Sequence, residues 1–367
     1  MSSPLLRSAA RLVRQSAAHA QGLASLIGGV PAGVRVSYGQ PIPLPSETAV
    51  GGIVKLQELS ASFPESGARF NTLYLVSSRL PPAAVVRADW ARRKGARFVL
   101  NQNGVAYPAW HGPGWERFNR ECTALLSRAD HVFYQSEFCR ISADRFAGPA
   151  RGTWEVLHNA VDTRRFTPGP PSGPRALTLL LAGSQDQWYR LDSAVRTLAL
   201  LVESGVDAEL LVTGRLWWTR DAAANRRQAE ALVDEVRMTS RVSFLGAYTQ
   251  AEAPAIFRRA HIVLHTKYND PCPSAVLEAL ACGRPVVYSK SGGVPELVGD
   301  QAGIGVEAEL SWERDVPPDP HALAAAVKEV RSSLSTFAAA ARARAVERFD
   351  IQHWLHRHRR VFERLAA

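Results

Sequence analysis

From residue 34 onward, short apolar runs alternate with longer stretches in which apolar residues recur every three or four positions. The runs at 35–38, 72–76, 98–101, 131–134 and 154–157 predict strands, and the stretches near 82–93, 114–128 and 137–147 predict the helices between them. Strands that are apolar on both faces and alternate with helices predict a parallel sheet covered on both sides. The segment Pro168-Gly169-Pro170-Pro171-Ser172-Gly173-Pro174 can join neither a helix nor a central strand. The same plan then repeats, with strands at 177–181, 209–213, 242–245, 262–265 and 285–288. Its helices fall near 191–204, 222–238, 251–259, 274–282, 294–299 and 321–334. An Ala/Arg-rich helix at 336–348 precedes a last one carrying Trp354, Leu355, Val361, Phe362 and Leu365. The pattern divides the chain into an amino-terminal segment (1–33), a first α/β domain (34–167), a linker (168–176), a second α/β domain (177–348) and a terminal helix (349–367).

Residues 4–27 predict one helix. Leu5, Ala9, Leu12, Ala20, Leu23 and Ile27 fall on one stripe, Arg7, Arg11 and Arg14 lie opposite, and no acid occurs before Glu47. Three readings stay open: an arm packed on the body, a helix lying on an anionic membrane, or an Arg-rich, acid-free transit peptide. The apolar core of a secretory signal is missing.

The 367 residues suffice for two ordinary domains, and no apolar run is long enough to span a membrane. A formal charge of +10 and a pI near 9.8 point to an anionic partner such as a nucleotide or a phospholipid surface. Nucleic acid fits less well, because the arginines are scattered and no nucleic-acid motif is present. Cys122, Cys139, Cys272 and Cys282 show no metal-ligand spacing, so no metal is expected, and they suit a reducing, cytoplasmic setting.

The stretch from Asp270 to Gly299 carries the chemistry. Pro271-Cys272-Pro273-Ser274 is a turn that can start a helix, with Ser274 as its N-cap, and Gly283 can end it. Ser291-Gly292-Gly293-Val294-Pro295-Glu296 is a glycine loop entering another helix, with Pro295 at an early position. Two helix starts after strands offer N–H groups and positive dipole ends to an anion. Glu278 can accept hydrogen bonds from paired ribose hydroxyls, and Asp270 from further hydroxyls.

This stretch resembles the signature of the family 4 glycosyltransferases, which have the GT-B architecture. Their pattern is an acid, seven residues, Glu, an apolar helix, Cys-Gly-x-Pro-Val-Val and Gly-Gly-x-Pro-Glu. Asp270 and Glu278, Cys282-Gly283, Pro285-Val286-Val287 and Gly292-Gly293-Val294-Pro295-Glu296 match it, with Asp270 in place of the usual Glu. A second match is Asn159-Ala160-Val161-Asp162 followed by Phe166-Thr167-Pro168, where Ala160 replaces a glycine. The resemblance implies two Rossmann-like domains facing across a cleft, with the terminal helix crossing back to the first domain. It also implies retaining transfer of a hexose-like sugar from a nucleotide-diphosphate donor to an acceptor hydroxyl, without a metal and with no cofactor beyond the sugar nucleotide. A phosphate oxygen of the donor would then deprotonate the acceptor.

Carried onto this chain, the resemblance assigns the donor to Glu278, Asp270, Cys272, Pro273, Ser274, Gly183, Arg190, Arg215, Gly292 and Gly293. Asp270, Asn103 and Arg190 would carry the catalytic roles, and Gly51, Gly52, Lys55 and His111 would meet a glycan or lipid-linked acceptor. The chain also departs from the pattern. Ser184 stands where the family places a diphosphate-binding Arg, with Arg190 or Arg215 left to supply the charge. Asn103 stands about where many members have a histidine; His111 either substitutes or is a loop histidine. These departures keep a second reading open, a non-catalytic sugar-nucleotide-binding subunit of the same fold. The expected location is cytoplasmic, with or without contact to the inner face of a membrane through residues 4–27.

Overall fold

A computed structural model describes residues 4–26, 29–44, 51–169 and 176–367, with side chains from residue 13 onward. The chain forms two compact units, one of residues 1–158 with 354–367 and one of residues 159–353. Each is built on a wholly parallel sheet, as alternating apolar strands and helices dictate.

In the first unit, β1 (Val36–Ser37), β2 (Thr72–Val76), β3 (Arg97–Gln102), β4 (His131–Tyr134) and β5 (Thr153–Val156) lie side by side in chain order. In the second, β6 (Leu177–Leu181), β7 (Ala208–Thr213), β8 (Val242–Gly246), β9 (Ile262–His265), β10 (Val286–Lys290) and β11 (Gly303–Glu307) are ordered β11-β10-β9-β6-β7-β8. The chain builds outward from β6 in one direction, then returns to β6 and builds outward in the other. The β6/β9 boundary is therefore a topological switch point, where helices leave to opposite faces and a crevice opens beyond the strand ends. The strand β11 was not expected, since Gly303 and Gly305 mask its pattern. Gly303 is forced by packing, since a Cβ there would lie 1.9 Å from the Val286 carbonyl oxygen, and a Cβ at Gly305 would crowd the end of the Tyr288 ring at 2.9 Å.

The units divide between His158 and Asn159, so residues 159–167, assigned to the first domain by sequence, pack in the second. The Asn159 carboxamide donates to the Cys272 carbonyl at 2.7 Å, and Phe166 is buried against Phe257. Arg342 donates to the carbonyls of Thr163, Phe166 and Ala281 and pins the segment down. Most of the expected linker, residues 170–175, lies outside the described residues. The last helix, Ile351–Ala366, contributes its residues from Trp354 onward to the first unit. There His358, fully buried, lies 3.0 Å from the Tyr74 hydroxyl, and Phe362 packs edge-on to Phe63 and Tyr74.

The first helix, Pro4–Leu26, packs against the helix Ala84–Arg93. Among the described side chains, the face it buries is not the predicted apolar stripe. Ala18, Gly22 and Ser25 point inward, while Ala20 is exposed and Leu23 is 56% exposed. Trp90 decides this. A Cβ at Gly22 would come within 2.2 Å of its ring, so only a glycine lets the two helices approach. His19 lies 3.0 Å from the Trp90 indole nitrogen, Arg87 donates to Gln21, and Lys94 donates to the Ser25 carbonyl. Ile27 lies outside the described residues, as do the side chains of Leu5, Ala9, Leu12, Arg7 and Arg11.

Candidate functional site

The loops after β6 and β9 meet at the switch point of the second unit. Loop 182–187 carries Gly183 at its second position, where a positive φ of 82° suits glycine. Arg190 lies in the first turn of the helix Trp188–Glu203 and is 3% exposed. Its guanidinium donates to the carbonyls of Ser184 and Ala182 and to Asp186 Oδ1 at 3.0 Å. Asp186 Oδ2 in turn lies 2.8 Å from the ammonium of Lys267, two residues past β9. Arg190 thus holds the loop together from inside. Arg215, after β7, is exposed and lies over the Trp217 ring at 5.3 Å.

Asp270 closes the loop after β9. Burial alone would raise its carboxyl, but the Lys267 ammonium, the His265 ring and Arg190 together hold it at about 2, so it is ionised at neutral pH. His265 is buried, and burial lowers its imidazole below the usual range despite Asp270 Oδ2 at 3.3 Å. The Gly292-Gly293 loop packs directly behind this acid. The Gly293 N–H donates to the Asp270 carbonyl at 2.9 Å, and a Cβ at Gly292 would stand 2.5 Å from the same oxygen. Gly292 is required by this contact between two loops of the chain.

Glu278 points inward from the helix Ser274–Ala281 and is 7% exposed. The Gln250 carboxamide reaches Glu278 Oε1 at 3.5 Å, and Arg165 orients that carboxamide from its other side at 2.9 Å. Among the described residues no cation lies in ion-pair range of Glu278. A carboxylate can accept about four hydrogen bonds. Burial pushes the Glu278 carboxyl up to about 7, against smaller downward pulls from Gln250 and Arg165. Ser274 is not the N-cap of this helix: Pro273 holds that place, with no side-chain cap, and Ser274 is the first helical residue. The preceding turn is held by Asn159, whose backbone N–H approaches the Cys272 sulfur at 3.4 Å.

The acceptor candidates lie in the first unit. The pair Gly51-Gly52 forms the first turn of the helix Gly51–Ser62. A Cβ at Gly52 would meet the Ser78 hydroxyl at 2.8 Å. Neighbouring Ser77 accepts from the Asn103 N–H at 2.8 Å, so Gly52 and Asn103 converge on one short turn. Asn103 Oδ1 is buried without a partner, and Lys55 is buried on the same helix as Gly52. His111 ends the short helix Pro108–His111, is exposed, and packs on Phe118 with ring centroids 4.8 Å apart.

Four residues of the second unit's site were not anticipated: Asp186, Lys267, Gln250 and Arg165. The signal for the first two is their position, one loop beyond strands that the sheet makes neighbours. That adjacency cannot be read from local sequence.

The two parallel-sheet units, the switch point and the returning helix define a GT-B fold, and known structures agree. The crystal structure of Anabaena HepE in complex with UDP and glucose superposes with a TM-score of 0.65 at 19% identity, covering 84% of this chain and 80% of that one. A glycosyltransferase from Rickettsia africae gives 0.65 at 14% identity, covering 94% and 92%. Residues 169–333 match the family model of glycosyl transferases group 1. The D-inositol 3-phosphate glycosyltransferase of Mycobacterium sp. strain JLS is 30% identical over 177 residues, which are 46% of this chain and 38% of that enzyme. The matched part of the chain thus spans well under half the length of this curated relative. These matches show the GT-B fold and, over residues 169–333, a likeness to group 1 glycosyl transferases. Among the described residues, no helix is long and apolar enough to cross a membrane.

Proposed function

We propose that the protein is a metal-independent, retaining glycosyltransferase that moves a hexose-like sugar from a nucleotide diphosphate to an acceptor hydroxyl. The observation that carries this reading is Glu278: a buried carboxylate with unused acceptor capacity, on the helix that follows the switch-point loop. Ribose hydroxyls are the donors that such a group lacks. In this reading Glu278 takes the ribose and ionised Asp270 takes hydroxyls of the transferred sugar. The start of the helix Ser274–Ala281, with Cys272, Pro273 and Ser274, lies against the donor. The loops at Gly183 and Gly292-Gly293 shape the pocket. Charge growing on the leaving diphosphate is stabilised by fixed dipoles and cations, which need no ion. The acceptor meets the turn where Gly52 and Asn103 converge, with Gly51, Lys55 and His111 around it. The relative's name makes an inositol phosphate the first acceptor to try.

Thermal shift with UDP-, GDP- and ADP-sugars, followed by transfer assays, tests the reading. Stabilisation by none of them would refute it. A second reading, a non-catalytic sugar-nucleotide-binding subunit, is favoured by Ser184 and by the inward commitment of Arg190. Donor binding without transfer or hydrolysis would establish it. We also propose peripheral membrane contact through the outward stripe of the first helix, where Leu23 and Leu26 are exposed beside an acid-free, arginine-bearing segment.

A further inference from the structure

Arg190, Arg215 and Lys267 stand beyond the carboxyl ends of β6, β7 and β9, Arg190 in the first turn of a helix and the other two on loops. They differ in what their charge is free to do. Arg190 turns its N–H groups to Ser184, Ala182 and Asp186, and its Nε is buried as well. Arg215 follows β7, one strand away from the switch point, and lies over Trp217. Lys267 follows β9 at the switch point itself. Leu181 pairs with Leu264, so Ser184 and Lys267 each stand three residues beyond the last paired positions of adjacent strands. Ser184 is neutral, which leaves Lys267 as the charge at that level of the crevice.

The geometry of Lys267 fits an anion. Its side chain is 19% exposed, low enough for its charge to be weakly screened and open enough to be reached. An ammonium has three donors, and Asp186 Oδ2 at 2.8 Å takes one of them. We infer that Lys267 is the side chain that holds the donor's diphosphate, and that Asp186, tied in turn to Arg190, is the positioning residue that aims it. This rests on the glycosyltransferase reading above and names the cation of that site. The acids around Lys267 are Asp186, Asp270 and Asp315, against Lys267 and Arg190 as the local cations. Without Lys267, the crevice presents three carboxyl groups to a diphosphate with only an inward-turned guanidinium to offset them. The penalty for removing this lysine therefore exceeds that for an isolated surface lysine.

The test uses full-length protein and whichever of UDP, GDP and ADP the native protein binds, alongside the matching nucleoside. Lys267→Met is expected to weaken the diphosphate by about 100-fold, the upper part of the range for a charge-assisted contact, and the nucleoside by less than about threefold. Lys267→Arg is expected to recover most of the loss. Asp186→Asn, which keeps the shape but frees the ammonium, is expected to weaken the diphosphate less than Lys267→Met does. Equal effects of Lys267→Met on diphosphate and nucleoside would show a merely structural role and overturn the inference. Unchanged diphosphate affinity would overturn it too, while leaving the donor assignment to Glu278 intact. Failure of the native protein to bind any of the three nucleotides would instead overturn the glycosyltransferase reading, and this inference with it.

Discussion

Replacing Glu278 by glutamine should make the unliganded protein more stable in mild alkali. The carboxyl is ordinarily half-ionised at 4.5, and in the folded chain burial pushes it up to about 7. At about 1.4 kcal/mol per pH unit, the fold works against the ionised form by about 3 kcal/mol. For a group raised on folding, stability is fully present below pH 4.5 and is lost as the pH climbs through 7. Glu278→Gln removes that loss, because a carboxamide of the same shape does not titrate and keeps Gln250 as a partner. Wild type and variant should therefore unfold at similar temperatures near pH 5. Near pH 8.5 the variant should gain about 2–3 kcal/mol, or roughly 4–12 °C for a unit of this size. A nucleotide reverses the order. Ribose hydroxyls donate to the carboxylate and cannot do so equally to the amide, so the variant should bind the donor about 10–100-fold more weakly. Donor affinity of the wild type should rise with pH through 7 and then level off. Calorimetric unfolding from pH 5 to 9, with and without nucleotide, reads all of this. Identical pH profiles for the two proteins would mean that Glu278 is ionised and satisfied in the free protein, and the argument for a waiting ribose site would fall.

Transfer activity should survive EDTA, and complete loss restored by magnesium or manganese would place the reaction in a different catalytic class. Arg190→Ala should destabilise the second unit by about 2–4 kcal/mol, since it strips a buried guanidinium from two carbonyls and from Asp186. Arg215→Ala, at an exposed site, should change stability by less than about 0.5 kcal/mol, and equal unfolding temperatures for the two variants would contradict this assignment. Full-length protein should float with anionic vesicles at low salt and protein lacking residues 1–28 should not; equal flotation would limit the first helix to a structural arm.

Much of the architecture was legible because the parallel sheets bury their strands on both faces, and uninterrupted apolar runs such as Leu177–Leu181 announce that directly. The placement of Asp270 and Glu278 beyond β9 was legible because their spacing is set within one loop and one helix. What escaped depends on partners distant in sequence. Gly303 and Gly305 hide the pattern of β11, and Gly303 pairs where no side chain would fit. The first helix was read by its apolar residues, but Trp90 selects the face carrying Ala18, Gly22 and Ser25, because close approach needs small residues. Arg190 was expected to face a ligand, and only the path of loop 182–187 reveals that its acceptors are inside. Lys267 had no local signature, since its meaning comes from β9 lying beside β6.

The returning helix sets a schedule for how the molecule comes into being. Synthesis runs from the amino terminus, so residues 1–158 emerge long before Trp354–Ala367, which complete the same unit. Until then Tyr74 lacks His358 at its hydroxyl, and Phe63 and Tyr74 lack the ring of Phe362. The nascent first unit thus waits with an uncovered aromatic surface while the intervening residues 159–353 are made. The second unit has its whole sheet within one continuous stretch and can close as soon as it leaves the ribosome. Although first in sequence, residues 1–158 are last to find their finished core, and damage to the final helix would be felt most in the part of the chain made earliest.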